Sequence, residues 1–195
     1  MKMVEASHPY WHVRSMAERY SKVIDSFNFS YYTYIPQSLN DSREIFSLTL
    51  TQLLDVRVVA SMLSTVPSGC ELAVHSLIVL RDGGSAHIPM ADMSSLSLAK
   101  LTKYRIYLDS AHGQKFSWYK SGRSFHGYGD ALIDTAGWSA YMGKLLLANE
   151  PGMPPVVDPR WVGHRLIAGY AALRWTKNTE QYKEVPKQQA ADVWV

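Results

Sequence analysis

Two apolar, β-prone runs, Val74 to Leu80 and Ser85 to Met90, flank Arg81-Asp82-Gly83-Gly84. The glycines supply the positive φ that a tight reversal needs, so the stretch reads as a β-hairpin. So short a connection leaves no room for a crossover, which commits the middle of the chain to antiparallel pairing. The second strand carries Asp92 at its end. Tyr104 to Asp109 and Gln114 to Tyr119 alternate around Ser110-Ala111-His112-Gly113 and predict a second hairpin. It leads directly into Ser121-Gly122-Arg123-Ser124-Phe125-His126-Gly127-Tyr128, which puts His126 on or beside a strand.

Helical signals surround these hairpins. Ser7 and Pro9 start a helix whose apolar positions, Tyr10, Val13, Ala17, Tyr20, Val23 and Ile24, continue to about Asp25. Phe29 to Ile35 is β-prone, and Pro36 to Ser42 is a polar connector. Within Phe46 to Val66, the part from Leu53 to Leu63 fits a helix better than a strand. Ser94 to Lys103 is a short Leu-spaced link. Asp134 or Thr135 caps a helix through Trp138, Tyr141, Met142, Leu145 and Leu146, stopped by the Pro/Gly-rich stretch Pro151 to Pro155. The chain re-enters as Val156-Val157-Asp158; Pro159 then starts a helix that Gly169 ends. Ala171 to Thr176 predicts a further strand, and the tail from Lys187 is expected to fray. The fold class expected is α+β, a mainly antiparallel sheet flanked by helices.

At 195 residues and 47% hydrophobic content the chain supports one domain, 1–195, with a continuous core. No apolar run approaches the roughly eighteen residues of a membrane span, and no secretory signal opens the chain, so the expectation is a cytoplasmic protein without a membrane partner. Cys70, the single cysteine, excludes a disulfide framework and a Cys-rich zinc site, and is expected to pack. The formal charge of +3 is unevenly spread. Between Arg160 and Lys183, the cations Arg160, Arg165, Arg174, Lys177 and Lys183, with His164, stand against a single acid, Glu180, and this basic end is where a phosphate would sit.

Asp92 and Asp158 together could hold Mg²⁺ or Mn²⁺, which takes a few carboxylate oxygens and leaves room for phosphate and water. Each also has a purely structural reading. A strand-end acid is a common turn residue, and an Asp before Pro is a common helix N-cap. His126 follows Ser121-Gly122-Arg123-Ser124-Phe125, whose small and hydroxyl residues, Ser121 among them, let a phosphate approach, with Arg123 close beside it; its structural reading is an ordinary strand histidine. His164 and Arg165 lie on the helix after Pro159, where an exposed basic face is the alternative. Arg174 and Lys177 could clamp a triphosphate, one as a fork and the other as a point charge.

The order of an apolar strand ending in Asp92, a Ser/Gly-rich strand bearing His126, an apolar pair ending in Asp158 and a later Arg174 and Lys177 resembles the catalytic core of archaeo-eukaryotic primases and primase-polymerases. The resemblance covers about residues 74–177 and implies an RRM-like catalytic core. By position it implies Asp92 and Asp158 as catalytic, metal-holding acids and His126 as the histidine contacting nucleotide phosphates. Ser121, Arg123, His164, Arg165, Arg174 and Lys177 are then the remaining candidates for nucleotide binding. The departure is Ser94, which stands where the family's first motif carries a second acid. Serine is a poorer metal ligand than a carboxylate, so one ion is expected rather than two. Asp109 could substitute only if the fold returns it to the site.

The function expected is a primase-like protein binding nucleoside triphosphate and single-stranded DNA or RNA, a metal-dependent nucleotidyltransferase if active. A non-catalytic single-stranded nucleic-acid-binding module and a metal-dependent nuclease using Asp92, Asp158 and His126 are the alternatives.

Overall fold

The computed structural model describes residues 3–94, 97, 100, 102–104, 106–108 and 115–188. Two antiparallel sheets carry the fold, where the sequence predicts one. In the first, β3 (Glu71–Leu80) is central and buried along most of its length. On one side it pairs with β1 (Ile24–Tyr32), which pairs in turn with β2 (Arg43–Thr49). On the other side its two halves take different partners: β4 (Ser85–His87) lies along the C-terminal half and β8 (Ala172–Arg174) along the N-terminal half.

The hairpin between β3 and β4 forms as expected, with Gly83 at φ 83° and the Gly84 N–H donating to Asp82 Oδ1. Its second strand does not run unbroken to Asp92, however. Pro89 cannot donate to a ladder, and around it the chain leaves the first sheet. β5 (Met90–Asp92) pairs instead with β7 (Phe125–Gly129), which is joined through β6 (Phe116–Lys120) to β9 (Lys187–Gln188). One extended segment therefore links both sheets and delivers Asp92 between them.

Helix α1 (Tyr10–Arg19) buries Tyr10, Val13, Met16 and Ala17 and ends earlier than its apolar pattern suggested. Val23 is exposed and Ile24 already begins β1, because the apolar spacing continues across a change of element. α2 (Leu50–Leu54) opens with a Thr49/Gln52 capping box, and α3 (Val56–Ser64) is capped by Asp55. α4 (Thr135–Leu147) takes Asp134 as its N-cap, and α5 (Pro159–Ala168) takes Asp158, with Gly169 at φ 78° closing it.

Two further expectations need correction. Residues 102–104 and 106–108 are helical, so the second hairpin predicted from Tyr104 does not form as drawn. Tyr104 and Leu108 bury against the core, a helical spacing that competes with the strand alternation and prevails. The turn assigned to residues 110–113 lies outside the described residues, as does Asp109. The first two residues of the tail expected to fray are tied down: Lys187 and Gln188 pair with β6, and the Gln188 N–H donates to the Ser7 carbonyl at 2.7 Å, while residues 189–195 lie outside the described residues. Cys70 is half-buried, in the turn before β3.

Glu71 secures the C-terminal end of β8. Fully buried at the start of β3, its carboxylate accepts from Thr176 Oγ1 at 2.5 Å, from the N–H groups of Asn178 and Thr179 at 2.8 Å each, and from Thr179 Oγ1 at 2.8 Å. A buried carboxylate saturated with donors in this way fixes a turn and the strand before it, here the strand that carries Arg174.

Candidate functional site

Asp92 and His126 face each other across the β5–β7 ladder as direct register partners. His126 Nε2 lies 3.7 Å from Asp92 Oδ1, a contact too long for a hydrogen bond. On the other side of β5 the chain from Val156 to Asp158 runs alongside. Met93 and Val157 form an antiparallel bridge, and the Asp158 N–H donates to the Asp92 carbonyl at 3.1 Å. The segment after β5 is thus held on both flanks, with the Met93 N–H on the Phe125 carbonyl and the Ser94 N–H on the Val156 carbonyl, both 2.9 Å. Backbone ladders bring Asp92, His126 and Asp158 to one place without any side-chain contact being needed.

Asp158 keeps its capping role as well. Its Oδ1 accepts the N–H groups of Arg160 at 2.8 Å and Trp161 at 3.2 Å, which leaves Oδ2 without a donor among the described residues, and the residue lines the cleft. The cap reading and the site reading of this acid are both correct, because the two oxygens serve different ends.

Burial first, and the charge of Asp158 second, push the Asp92 carboxyl up to about 8, with Arg174 opposing. Burial, reinforced by Arg174, holds the His126 imidazole well below its usual range. At neutral pH the metal-free pair is therefore a protonated carboxyl beside a neutral imidazole rather than an ion pair. His126 Nδ1 is buried with no hydrogen-bond partner.

These three residues line a cleft of about 200 Å³ that also takes in Arg160, His164, Arg165 and Arg174. Arg174 is 4% exposed and fixed in place by backbone carbonyls: Nη2 donates to Ser121 at 2.8 Å, and Nη1 to Glu184 at 3.2 Å and to Thr176. Its guanidinium carbon stands 3.9 Å from the centre of the Tyr182 ring. Nε is left without a partner.

Three of the expected nucleotide-binding residues do not line the cleft. Ser121 is buried with its hydroxyl on Ser124, and it contributes by offering its carbonyl to Arg174. Arg123 and Lys177 are exposed outside it. Arg123 sits in a bend and Lys177 in an irregular stretch after β8, where proximity in sequence to His126 or Arg174 says nothing about which way the side chain leaves the backbone. Ser94 is also outside the cleft lining; its hydroxyl donates to the Pro155 carbonyl at 2.5 Å.

Sequence reasoning missed Tyr32, Asp41, Arg43 and Tyr182, all of which line the cleft. Asp41 lies in what reads as a plain connector and Arg43 opens the strand after it. Arg160, part of the basic run but not singled out, lines it too. Nothing local distinguishes these residues; the β1–β2 connection reaches the cleft only because of where the two sheets meet.

A divalent cation fits the donor set on one count. The Asp92 carboxylate accepts no hydrogen bond from any described residue, and Asp158 Oδ2 is likewise open, a pairing of like charges that a cation would relieve. Among the described residues no group of three His, Cys, Asp or Glu side chains is arranged to hold an ion unaided. Water and phosphate oxygens would have to complete the shell, as is usual for Mg²⁺.

Paired antiparallel sheets that present two acids and a histidine to a basic cleft define a primase-like core. The family model described as archaeo-eukaryotic primase 1D-like matches residues 49–187, most of the chain, and the protein belongs to that family. Comparison with curated proteins gives no match. Among the described residues no helix is long and apolar enough to cross a membrane.

Proposed function

We propose that the cleft binds a nucleoside triphosphate together with a single divalent cation, and that the protein is a primase-type nucleotidyltransferase working on a single-stranded template. The observation that carries this reading is the placement of Asp92, Asp158, His126 and Arg174 around one cleft by backbone pairing. Asp92 and Asp158 Oδ2 would hold the cation, whose chemistry there is to neutralise and orient phosphate oxygens. His126, neutral and lining the cleft, would offer a ring N–H to a phosphate oxygen without adding charge. Arg174, held rigid by carbonyls, supplies fixed positive charge at small reorganisation cost.

A second reading, a binding module without phosphoryl-transfer activity, draws on Ser94. Its hydroxyl is spent on the Pro155 carbonyl, so the position that would hold a second acid gives the site no ligand. Calorimetric titration with a nucleoside triphosphate and Mn²⁺, alongside incorporation of labelled nucleotide on a single-stranded template, separates the readings. Binding with incorporation supports the enzyme, and binding alone supports the module. Neither binding nor incorporation would overturn both.

A further inference from the structure

Opposite the acids, the cleft contains a second cluster of charge. The Asp41 carboxylate is gripped by two guanidiniums: Oδ2 accepts Arg43 Nε at 2.8 Å and also pairs with Arg165 Nη2. Arg43 and Arg165 side chains are 10% and 2% exposed, so both cations are deeply desolvated, while Asp41 is 24% exposed and enters from a surface loop. Arg165 Nη1 is buried and has no hydrogen-bond partner. Two buried guanidiniums thus share one carboxylate oxygen; Arg43 Nη1 also donates to Ser30 Oγ at 3.0 Å, whereas Arg165 Nη1 retains unused donor capacity. A single carboxylate oxygen offers them fewer acceptors than a bidentate anion would.

The loop that brings Asp41, residues 33–42, is weakly anchored by apolar contacts. Ile35 is 64% exposed and Leu39 85%, and Gln37 takes φ 60°, rare for a residue with a side chain. Toward its C-terminal end the loop is held to the body, among the described residues, by arginines of the cleft: Arg160 Nη2 donates to the Ser38 carbonyl at 2.8 Å, and Arg43 and Arg165 hold Asp41. The cations that restrain the loop are the ones an entering anion would engage.

Building on the nucleotide-binding reading of the cleft, we propose that Arg43 and Arg165 form a phosphate subsite and that Asp41 is its intramolecular occupant, displaced when a phosphate group binds. A phosphate presents several acceptor oxygens and more negative charge than a carboxylate, so it satisfies Arg165 Nη1 as well as the donors Asp41 now uses. Its observed affinity is lowered by the fraction of molecules in which Asp41 holds the subsite. The loop is released as the phosphate enters.

The phosphate has two possible sources, the polyphosphate of a free nucleotide or the backbone of a single strand. The test therefore uses inorganic tripolyphosphate and a short oligothymidylate as separate probes, titrated calorimetrically at fixed salt without divalent cation. Asp41→Asn keeps the shape and removes the competing charge; it is expected to tighten binding of the probe that uses the subsite by about tenfold, whereas Asp41→Glu stays near wild type. In an Arg165→Met background Asp41→Asn should change nothing, which separates displacement from a general loss of negative charge. Hydrogen exchange on wild type supplies a readout that does not depend on that buried substitution: amides of residues 37–42 should exchange faster when the probe is bound. Gain with tripolyphosphate assigns the subsite to free nucleotide, and gain with the oligonucleotide assigns it to the strand. Asp41→Asn binding both probes no tighter than wild type, with the loop amides unchanged, overturns the proposal while leaving the nucleotide-binding reading intact. Failure of every variant to bind either probe, or a nucleoside triphosphate with Mn²⁺, overturns both.

Discussion

The backbone N–H of Asp158 donates to the backbone carbonyl of Asp92 at 3.1 Å. The two acids are therefore neighbours because main chains pair, and their carboxylates repel in consequence. Burial first, and that repulsion second, keep Asp92 protonated, its carboxyl raised to about 8.

That arrangement makes metal-free stability depend on pH in an unusual direction. Unfolded, Asp92 ionises near 3.8; folded, it keeps its proton to about 8, so the native state holds the extra proton between those values. Stability is lost as pH rises through that window. Asp92→Asn should raise stability at pH 7 by about 2–4 kcal/mol in chelator, with the advantage shrinking toward pH 4. Magnesium should stabilise wild type and leave the variant unmoved. Urea denaturation from pH 5 to 8, with and without Mg²⁺, reads all three effects; a variant no more stable than wild type at pH 8 would show that the Asp92 carboxyl is not raised in the folded state.

The acid side has a different origin. His8, His75 and His87 are buried, and burial lowers them to about 4, 3 and 4. An unfolded histidine protonates near 6.5, so below that pH the unfolded chain binds more protons and stability falls. Between pH 7 and 5 each should cost about 1–2 kcal/mol. His75→Gln, which keeps a polar group beside Ser30, should lessen the loss; an equal pH dependence in the variant would exonerate His75.

Ser94 tests the weakened metal site. The Met93 and Ser94 N–H groups point to opposite flanks, as in an extended chain, so the side chains of Asp92 and Ser94 leave the same face. Ser94→Asp cannot donate to the Pro155 carbonyl and should turn toward the cleft. Mn²⁺ should bind about tenfold more tightly, and the metal-free protein should lose about 1 kcal/mol from the broken hydrogen bond. Unchanged Mn²⁺ affinity in calorimetry would place residue 94 outside the metal's reach.

Gly127 supports the site from behind. It pairs with Trp118 across the β6–β7 ladder, and a Cβ there would lie 2.6 Å from the indole ring. Gly127→Ala should cost about 1–3 kcal/mol and disturb the adjacent His126, weakening nucleotide binding at temperatures where the variant is still folded. A thermal midpoint equal to wild type would mean that the ring yields freely.

Local chemistry made much of this protein legible in its sequence. The glycine turn before β4, the Asp134 and Asp158 caps, Pro159 and Gly169 are short-range devices, and they act in the fold as they read in the chain. The ordered set of Asp92, His126, Asp158 and Arg174 was legible for another reason: it resembles a family whose site uses those residue types in that order. What the sequence left undecided is which residues share the cleft. Periodicity reports the face a residue occupies within its own element, and it is silent about which sheet that element joins. The departure of the chain from the first sheet around Pro89, the division of one edge of β3 between β4 and β8, and the arrival of Asp41 and Arg43 beside Arg165 are all non-local pairings. Arg123 and Lys177, whose charge marked them as candidates, stay outside the cleft on the irregular segments that carry them. Backbone hydrogen bonds between distant segments made these choices, and only the tertiary structure records them.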